Sequence, residues 1–258
     1  MQLAGLAGAR VIVTAGAGGI GKVIAKRFAQ AGASVFTCDI DRDAVEALRA
    51  AEPAIGAMVA DVANADDVDR LFAEAQAHLG GLDVLVNNAG IGGPVACVEE
   101  VALEGWQRTL DVNLTGSFLC ARRAVPLLKE QRSGCIITMS SHYGFLGGPT
   151  RAPYVASKWA LIGFTKTLAM ELGPFGIRAN AICPGSVEGD RLERVMRLEA
   201  DEKGMTCEQL RENWVRGCSL RTFVTPDDVA SIILFLCSER GARISGQAIA
   251  VDGHTEFI

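Results

Sequence analysis

Apolar residues along this chain alternate between short β-branched runs and longer stretches with helical spacing. The run RVIVT (Arg10 to Thr14) is followed by KVIAKRFAQAGA, where Val23, Ile24, Phe28 and Ala31 fit one side of a helix. The same rhythm continues: strand SVFTCDI with a helix from Asp41 to Ala51, strand IGAMVADV with a helix from Asp66 to Leu79, and strand LDVLVNNAG with a largely helical stretch from Val101 to Arg132. Strand CIITMS (Cys135 to Ser140) then leads to a helix from Pro153 to Leu172, and strand IRANAICPG follows it. A helix from Pro226 to Ser238 and strand GQAIAVDG close the chain. This alternation predicts an α/β fold, a single Rossmann-like, doubly wound parallel sheet with helices on both faces. No linker-like or low-complexity segment divides the chain, so one domain spans residues 1–258.

Glu188 to Thr225 breaks the rhythm. It holds two helix-like pieces, Arg191 to Glu202 and Cys207 to Arg216, with charges of both signs. It is either a substrate lid or a long excursion. Its departure from a ligand-facing end of the sheet favours the lid, over about residues 188–225.

Composition narrows the class. At 49% hydrophobic and 21% charged residues the chain has material for a core and little cause for disorder. A net charge of -5 with no Lys/Arg block argues against a nucleic-acid partner. No apolar run reaches membrane-spanning length and the N-terminus lacks a signal-peptide pattern, so a soluble, cytoplasmic chain is expected. The eight cysteines form no C-x-x-C pair and the three histidines are scattered, so reduced packing thiols and no metal site are expected.

Candidate chemistry begins at the first strand. Gly16, Gly18 and Gly21 fit G-x-G-x-x-G between a strand and a helix, with Gly19 and Ile20 inside the motif. Glycines allow close approach of a phosphate to the backbone, and the helix start offers unpaired N–H groups. Asp39, beside Ile40, ends the second strand eighteen residues past Gly21, where an acid suits the adenosine ribose of NAD and repels a 2'-phosphate. The nearest arginine, Arg42, is three residues on, so NAD is favoured over NADP. A helix N-cap is the other reading of Asp39 or Asp41, and it suits Asp41. Asn87 and Asn88, before Ala89 and Gly90, stand either at a ligand-facing strand end or in a polar turn. Asn113 inside a helical stretch marks a local disruption.

Tyr154 and Lys158 are four residues apart, on one face of a helix. An ammonium held near a phenol lowers its pKa, which makes Tyr154 a candidate general base. Ser141, thirteen residues before Tyr154, can offer a hydroxyl to the same substrate oxygen.

Taken together, these residues resemble the short-chain dehydrogenase/reductase family in its compact single-domain form. The resemblance covers essentially the whole chain and rests on TAGAGGIG (Thr14 to Gly21), Asp61-Val62, NNAG (Asn87 to Gly90), Asn113, Ser141 with Tyr154 and Lys158, and PGSV (Pro184, Gly185, Ser186, Val187). It implies that Tyr154 takes the alcohol proton, Ser141 holds the substrate oxygen, Lys158 holds the nicotinamide ribose, and Asn113 supports a relaying water. It implies a cofactor site at Gly16, Gly18, Gly19, Ile20, Gly21, Asp39, Ile40, Asp61, Val62, Asn88, Ala89, Gly90, Tyr154, Lys158, Pro184, Gly185 and Val187. It also implies hydride transfer between a small polar, sugar-like secondary alcohol and NAD, with an NADPH-dependent 3-oxoacyl carrier-protein reductase as the alternative. Similar sequences are often homotetramers built on the helices around Asn113 and Tyr154.

Two positions depart from the family. Ala15 stands where Gly is usual, so Gly16 supplies the turn or the loop shifts by a residue. Gly189 stands where Thr often helps to hold the cofactor. Candidate substrate contacts are His142, Arg191 and Trp214, with Tyr143, Phe145 and Arg151 also available. Arg191, Arg194 and Arg197 recur every third residue and form one stripe. That stripe faces either an anionic substrate group or the nearby acids Glu188, Asp190 and Glu193.

Overall fold

The computed structural model describes residues 3–255, apart from the side chains at 191, 198 and 202. Among the described residues, seven parallel strands form one sheet: β1 (Arg10–Thr14), β2 (Ser34–Asp39), β3 (Ile55–Val59), β4 (Val84–Asn87), β5 (Gly134–Met139), β6 (Ile177–Pro184) and β7 (Ala248–Val251). The connecting helices are α1 (Gly19–Gln30), α2 (Arg42–Ala51), α3 (Ala65–Leu79), α4 (Leu103–Leu110), α5 (Gly116–Gln131), α6 (Ala152–Leu172), α7 (Asp190–Lys203), α8 (Cys207–Arg216) and α9 (Pro226–Cys237). The third strand stops at Val59 rather than Val62: the Ala60 N–H makes the last bond to β2, at the Asp39 carbonyl (3.0 Å), and the Asp61 N–H turns to the Asp67 carboxylate at 2.9 Å.

The strands lie in the order β3-β2-β1-β4-β5-β6-β7. The winding therefore reverses between β1 and β4, and a crevice opens there beyond the carboxyl ends of the strands. Side-chain alternation sorts the core into two layers. Val11 and Val13 face α1 and α9 together with Ile24, Phe28 and Ile233. Ile12 faces the other layer with Leu71, Phe72, Cys120 and Leu168. Each fully buried Leu, Ile or Phe contributes roughly 1.5–3 kcal/mol, which fixes the sheet against both layers.

Local chemistry sets the helix starts. The Asp41 side chain accepts the Ala44 N–H at 3.1 Å, so Asp41 caps α2 and leaves Asp39 uncommitted to capping. Thr225 and Asp228 form a reciprocal capping box ahead of α9, with Pro226 in its first turn. At the far end of the sheet Arg10 makes two 2.8 Å side-chain hydrogen bonds to Asp83, tying β1 to the start of β4.

The segment that breaks the βα rhythm folds as α7 and α8. They share a small core of Met196, Ala200, Leu210 and Phe223, with Leu192, Trp214 and Val215 packed against it. Its apolar side is thus spent partly on itself rather than wholly on a ligand. The Arg191 side chain lies outside the described residues.

Candidate active site

The glycine loop hangs on Thr14, the first residue of the TAGAGGIG segment and not itself among the predicted site residues. Its Oγ1 accepts the N–H groups of Asn88 and Ala89, both at 3.0 Å. The Asn88 amide donates to the carbonyls of Thr14 (2.9 Å) and Ala15 (3.1 Å). Asn88 and Ala89 therefore brace the loop across the β1–β4 crevice. Ala15 itself takes the left-handed conformation, with φ 51°. Ala15 therefore makes the left-handed turn, and Gly16 does not supply it. Gly16 is needed for a different reason: a Cβ there would run into the Thr37 hydroxyl, and one on Gly21 would strike the Ala15 carbonyl oxygen. This leaves an open backbone cradle at the start of α1, which fits a pyrophosphate.

Asp39 stands at the far side of that cradle. Its carboxylate accepts the Ala17 N–H at 3.3 Å and the Asp41 N–H at 3.2 Å, both long and weak. Ile40 beside it is 61% exposed. Asp61 is engaged by Arg108 at 2.9 Å, and Val62 is buried against Gly116.

Asn113 lies in a π-helical turn, Asp111–Thr115, between α4 and α5. The side chain is fully buried. Its amide donates to the Ile91 carbonyl at 3.1 Å and to Ser157 Oγ at 2.9 Å, while its oxygen accepts the Ile91 N–H at 2.8 Å. The expected disruption is this wide turn. Asn113 and Lys158 converge on Gly90: a Cβ there would lie 3.2 Å from Asn113 Oδ1 and 3.4 Å from Lys158 Nζ.

Lys158 is 4% exposed and donates to the Met139 carbonyl at 2.8 Å, a tie from α6 to the end of β5. Its ammonium sits 5.4 Å from the centre of the Tyr154 ring. The Arg151 guanidinium lies 5.1 Å from the same ring, and Tyr143 meets it edge-on with centres 6.0 Å apart. Burial pushes the Tyr143 hydroxyl above its ordinary pKa, so it stays protonated at neutral pH. Ser141 is buried and its Oγ accepts the Tyr143 N–H at 3.3 Å. His142 places Nδ1 3.2 Å from the Pro184 carbonyl, and burial holds the ring below its ordinary pKa, so it stays neutral and donates there. His142 Nε2 is buried and has no hydrogen-bond partner among the described residues.

One cavity of about 460 Å³ is shared by the glycine loop and by Ser141, Tyr154 and Lys158, while Asp39, Ile40, Asp61, Val62 and Asn113 are not among its lining residues. The glycine loop, Asn88 and Gly90 line it together with Ser141, Tyr154 and Lys158, and Arg151, Arg194, Val195 and Trp214 line it as well. Pro184, Gly185, Val187 and Gly189 form a further wall. Gly189 has φ 137°, a backbone that a threonine would adopt only with strain, which gives that departure a physical basis. Phe145 is 41% exposed and is not part of the wall.

A family model described as "Enoyl-(Acyl carrier protein) reductase" matches residues 14–254. The chain is 35% identical over 253 residues to the D-beta-hydroxybutyrate dehydrogenase of Cupriavidus necator, covering 96% of this chain and 98% of that one. The chain belongs to the short-chain dehydrogenase/reductase family. Another relative, at 36% identity over 252 residues, is a 3-oxoacyl-[acyl-carrier-protein] reductase of Thermotoga maritima, with 96% of this chain and 98% of that one covered. Among solved structures of the family, NAD+-bound xylitol dehydrogenase superposes with a TM-score of 0.90 at 27% identity, over 96% of this chain and 98% of that one. As a member of this family the chain is an oxidoreductase acting on CH–OH groups. No helix among the described residues is long and apolar enough to cross a membrane.

Proposed function

We propose that this protein transfers hydride between a small polar secondary alcohol and NAD. The observation that carries the reading is the single cavity shared by the backbone cradle and by Ser141, Tyr154 and Lys158. The cradle at Gly18–Gly21 takes the pyrophosphate, Asp39 the adenosine ribose, and Ile40, Asp61 and Val62 the adenine side. When bound, the nicotinamide ring accepts or returns the hydride. Tyr154 takes the alcohol proton while Ser141 holds the same oxygen. The Lys158 ammonium stabilises the charge that builds on the phenol and holds the nicotinamide ribose. Asn113 holds Ile91 and Ser157 in place, and the free lone pair on its oxygen is available to a relaying water. The α7–α8 segment covers the substrate end through Val195 and Trp214 and excludes water as a lid.

A cavity of about 460 Å³ must take the reactive end of the cofactor as well, which favours a small substrate. The likeness to xylitol dehydrogenase supports a sugar-like alcohol. A second reading, an NADPH-dependent 3-oxoacyl carrier-protein reductase, is favoured by the Thermotoga maritima relative and opposed by the carboxylate of Asp39. We further infer a soluble, cytoplasmic homotetramer. Leu103 on α4, Phe118 on α5, and Trp159 and Met170 on α6 are exposed large apolar residues, which supports an interface there.

The test is NAD reduction across polyols, sugars, hydroxy acids and aryl alcohols, with Tyr154→Phe alongside. Loss of the base lowers kcat by at least roughly 100-fold with NAD binding kept. Near-normal turnover in that variant refutes the assignment, and no NAD reduction with any alcohol refutes the function.

A further inference from the structure

Arg151 is a half-buried cation that lines the cavity beside the proposed base. A guanidinium has five N–H donors and no acceptor. Taking it out of water has a cost unless an acceptor meets it. Arg151 forms no ion pair and donates no side-chain hydrogen bond to any other described residue; its contact is the face of Tyr154 at 5.1 Å. Arg194, on α7, lines the same cavity and also has no carboxylate partner among the described residues.

The acids of the region do not fill this role. Glu188 lines the cavity and is held by Arg211 at 2.6 Å. Asp190 also lines it, in the first turn of α7, and reaches neither arginine. Glu199, whose charge is felt at Tyr143, is paired with Lys203 at 2.7 Å. Two cations therefore face the cavity with no counter-ion among the described residues, the half-buried Arg151 at the N-cap of the helix that carries Tyr154 and the exposed Arg194 on the covering segment. The arginine stripe of α7 meets the cavity through Arg194.

We propose that Arg151, assisted by Arg194, binds an anionic group of the substrate, so that the small polar alcohol also carries a carboxylate, or a sulfonate or phosphate in its place. This rests on the reading that the cavity oxidises an alcohol with NAD, and it narrows the substrate class. Because Arg151 lies against the ring of the base, the anion stands a few bonds from the carbinol carbon. The planar guanidinium suits bidentate pairing with such a group. Arg194 adds a second contact from α7, so that binding the anion also draws the cover onto the site.

The experiment compares hydroxy acids of about three to five carbons with their amides, as substrates of the full-length enzyme with NAD. Wild type, Arg151→Gln and Arg151→Lys are assayed, and binding of the same compounds is measured by calorimetry. Wild type is expected to favour the acid. Arg151→Gln lowers the acid-to-amide ratio of kcat/KM by about 10- to 100-fold, the loss of one charge-assisted pair, and Arg151→Lys restores part of it. The dissociation constant for the acid rises in step. A wild type that binds or oxidises the amides as well as the acids overturns the proposal, as does an unchanged ratio in Arg151→Gln. Oxidation of other alcohols in either case leaves the dehydrogenase reading standing. Absence of NAD reduction with every alcohol, while the acid still binds through Arg151, removes that reading and retains the anion site.

Discussion

Asn113→Ala removes three hydrogen bonds at once, and the structure allows its cost to be worked out. The lost contacts are the Ile91 N–H at 2.8 Å, the Ile91 carbonyl at 3.1 Å and Ser157 Oγ at 2.9 Å. Ser157 keeps a partner, because its hydroxyl also donates to the Tyr154 carbonyl at 2.7 Å. Ile91 keeps none of those bonds, although the residue is 37% exposed and water can reach part of it. Two orphaned backbone groups at about 1–3 kcal/mol each, reduced by that access and by the better helix propensity of Ala, give a net loss of about 2–4 kcal/mol. That is a large share of the roughly 5–15 kcal/mol by which a domain is stable. Urea unfolding should show a lower midpoint at constant slope, with faster amide exchange at Ile91. Ser117→Ala is the control. It removes only the 2.8 Å bond to the Asn113 carbonyl and should cost about 1 kcal/mol. If Asn113→Ala costs no more than that control, or if Ile91 exchange is unaltered, the bracing role assigned to Asn113 is wrong.

Three further outcomes follow from the same contacts. Ala15→Gly relieves a left-handed residue, worth about 1–2 kcal/mol, against a chain-entropy loss of about 0.4–1 kcal/mol; a small rise in Tm is expected, and a fall would show the loop to be unstrained. Asp39→Ala should narrow the gap between NAD and NADP in kcat/KM, and an unchanged preference would place cofactor choice elsewhere. Burial holds His142 below its ordinary 6.5, so under mildly acidic conditions the unfolded chain takes up a proton that the folded chain does not. Its contribution is complete above pH 6.5 and is lost as pH falls toward the folded-state pKa; His142→Asn should flatten that part of the stability profile, and an unchanged slope would exclude His142 as its source.

What could be read in the sequence was what spacing encodes. β-Branched runs and helical periodicity depend on neighbours a few residues apart, so the element order and the α7–α8 pieces were visible without coordinates. The same holds for Tyr154 and Lys158, which share one helix, and for the glycine motif, which is contiguous. Encounters between distant segments were not visible, because they depend on the strand order and on its reversal between β1 and β4. Thr14 meets Asn88 and Ala89 across that reversal, and no local pattern marks Thr14 as their anchor. Asn113 was recognisable as a disruption, yet its partners Ile91 and Ser157 come from a strand end and from another helix. The sequence marked Arg191, Arg194 and Arg197 as one stripe without saying which of them turns inward. Folding set Arg151 against Tyr154 and brought Arg194 of that stripe to the same cavity, since which face of α7 turns inward is decided by the small core that it builds with α8.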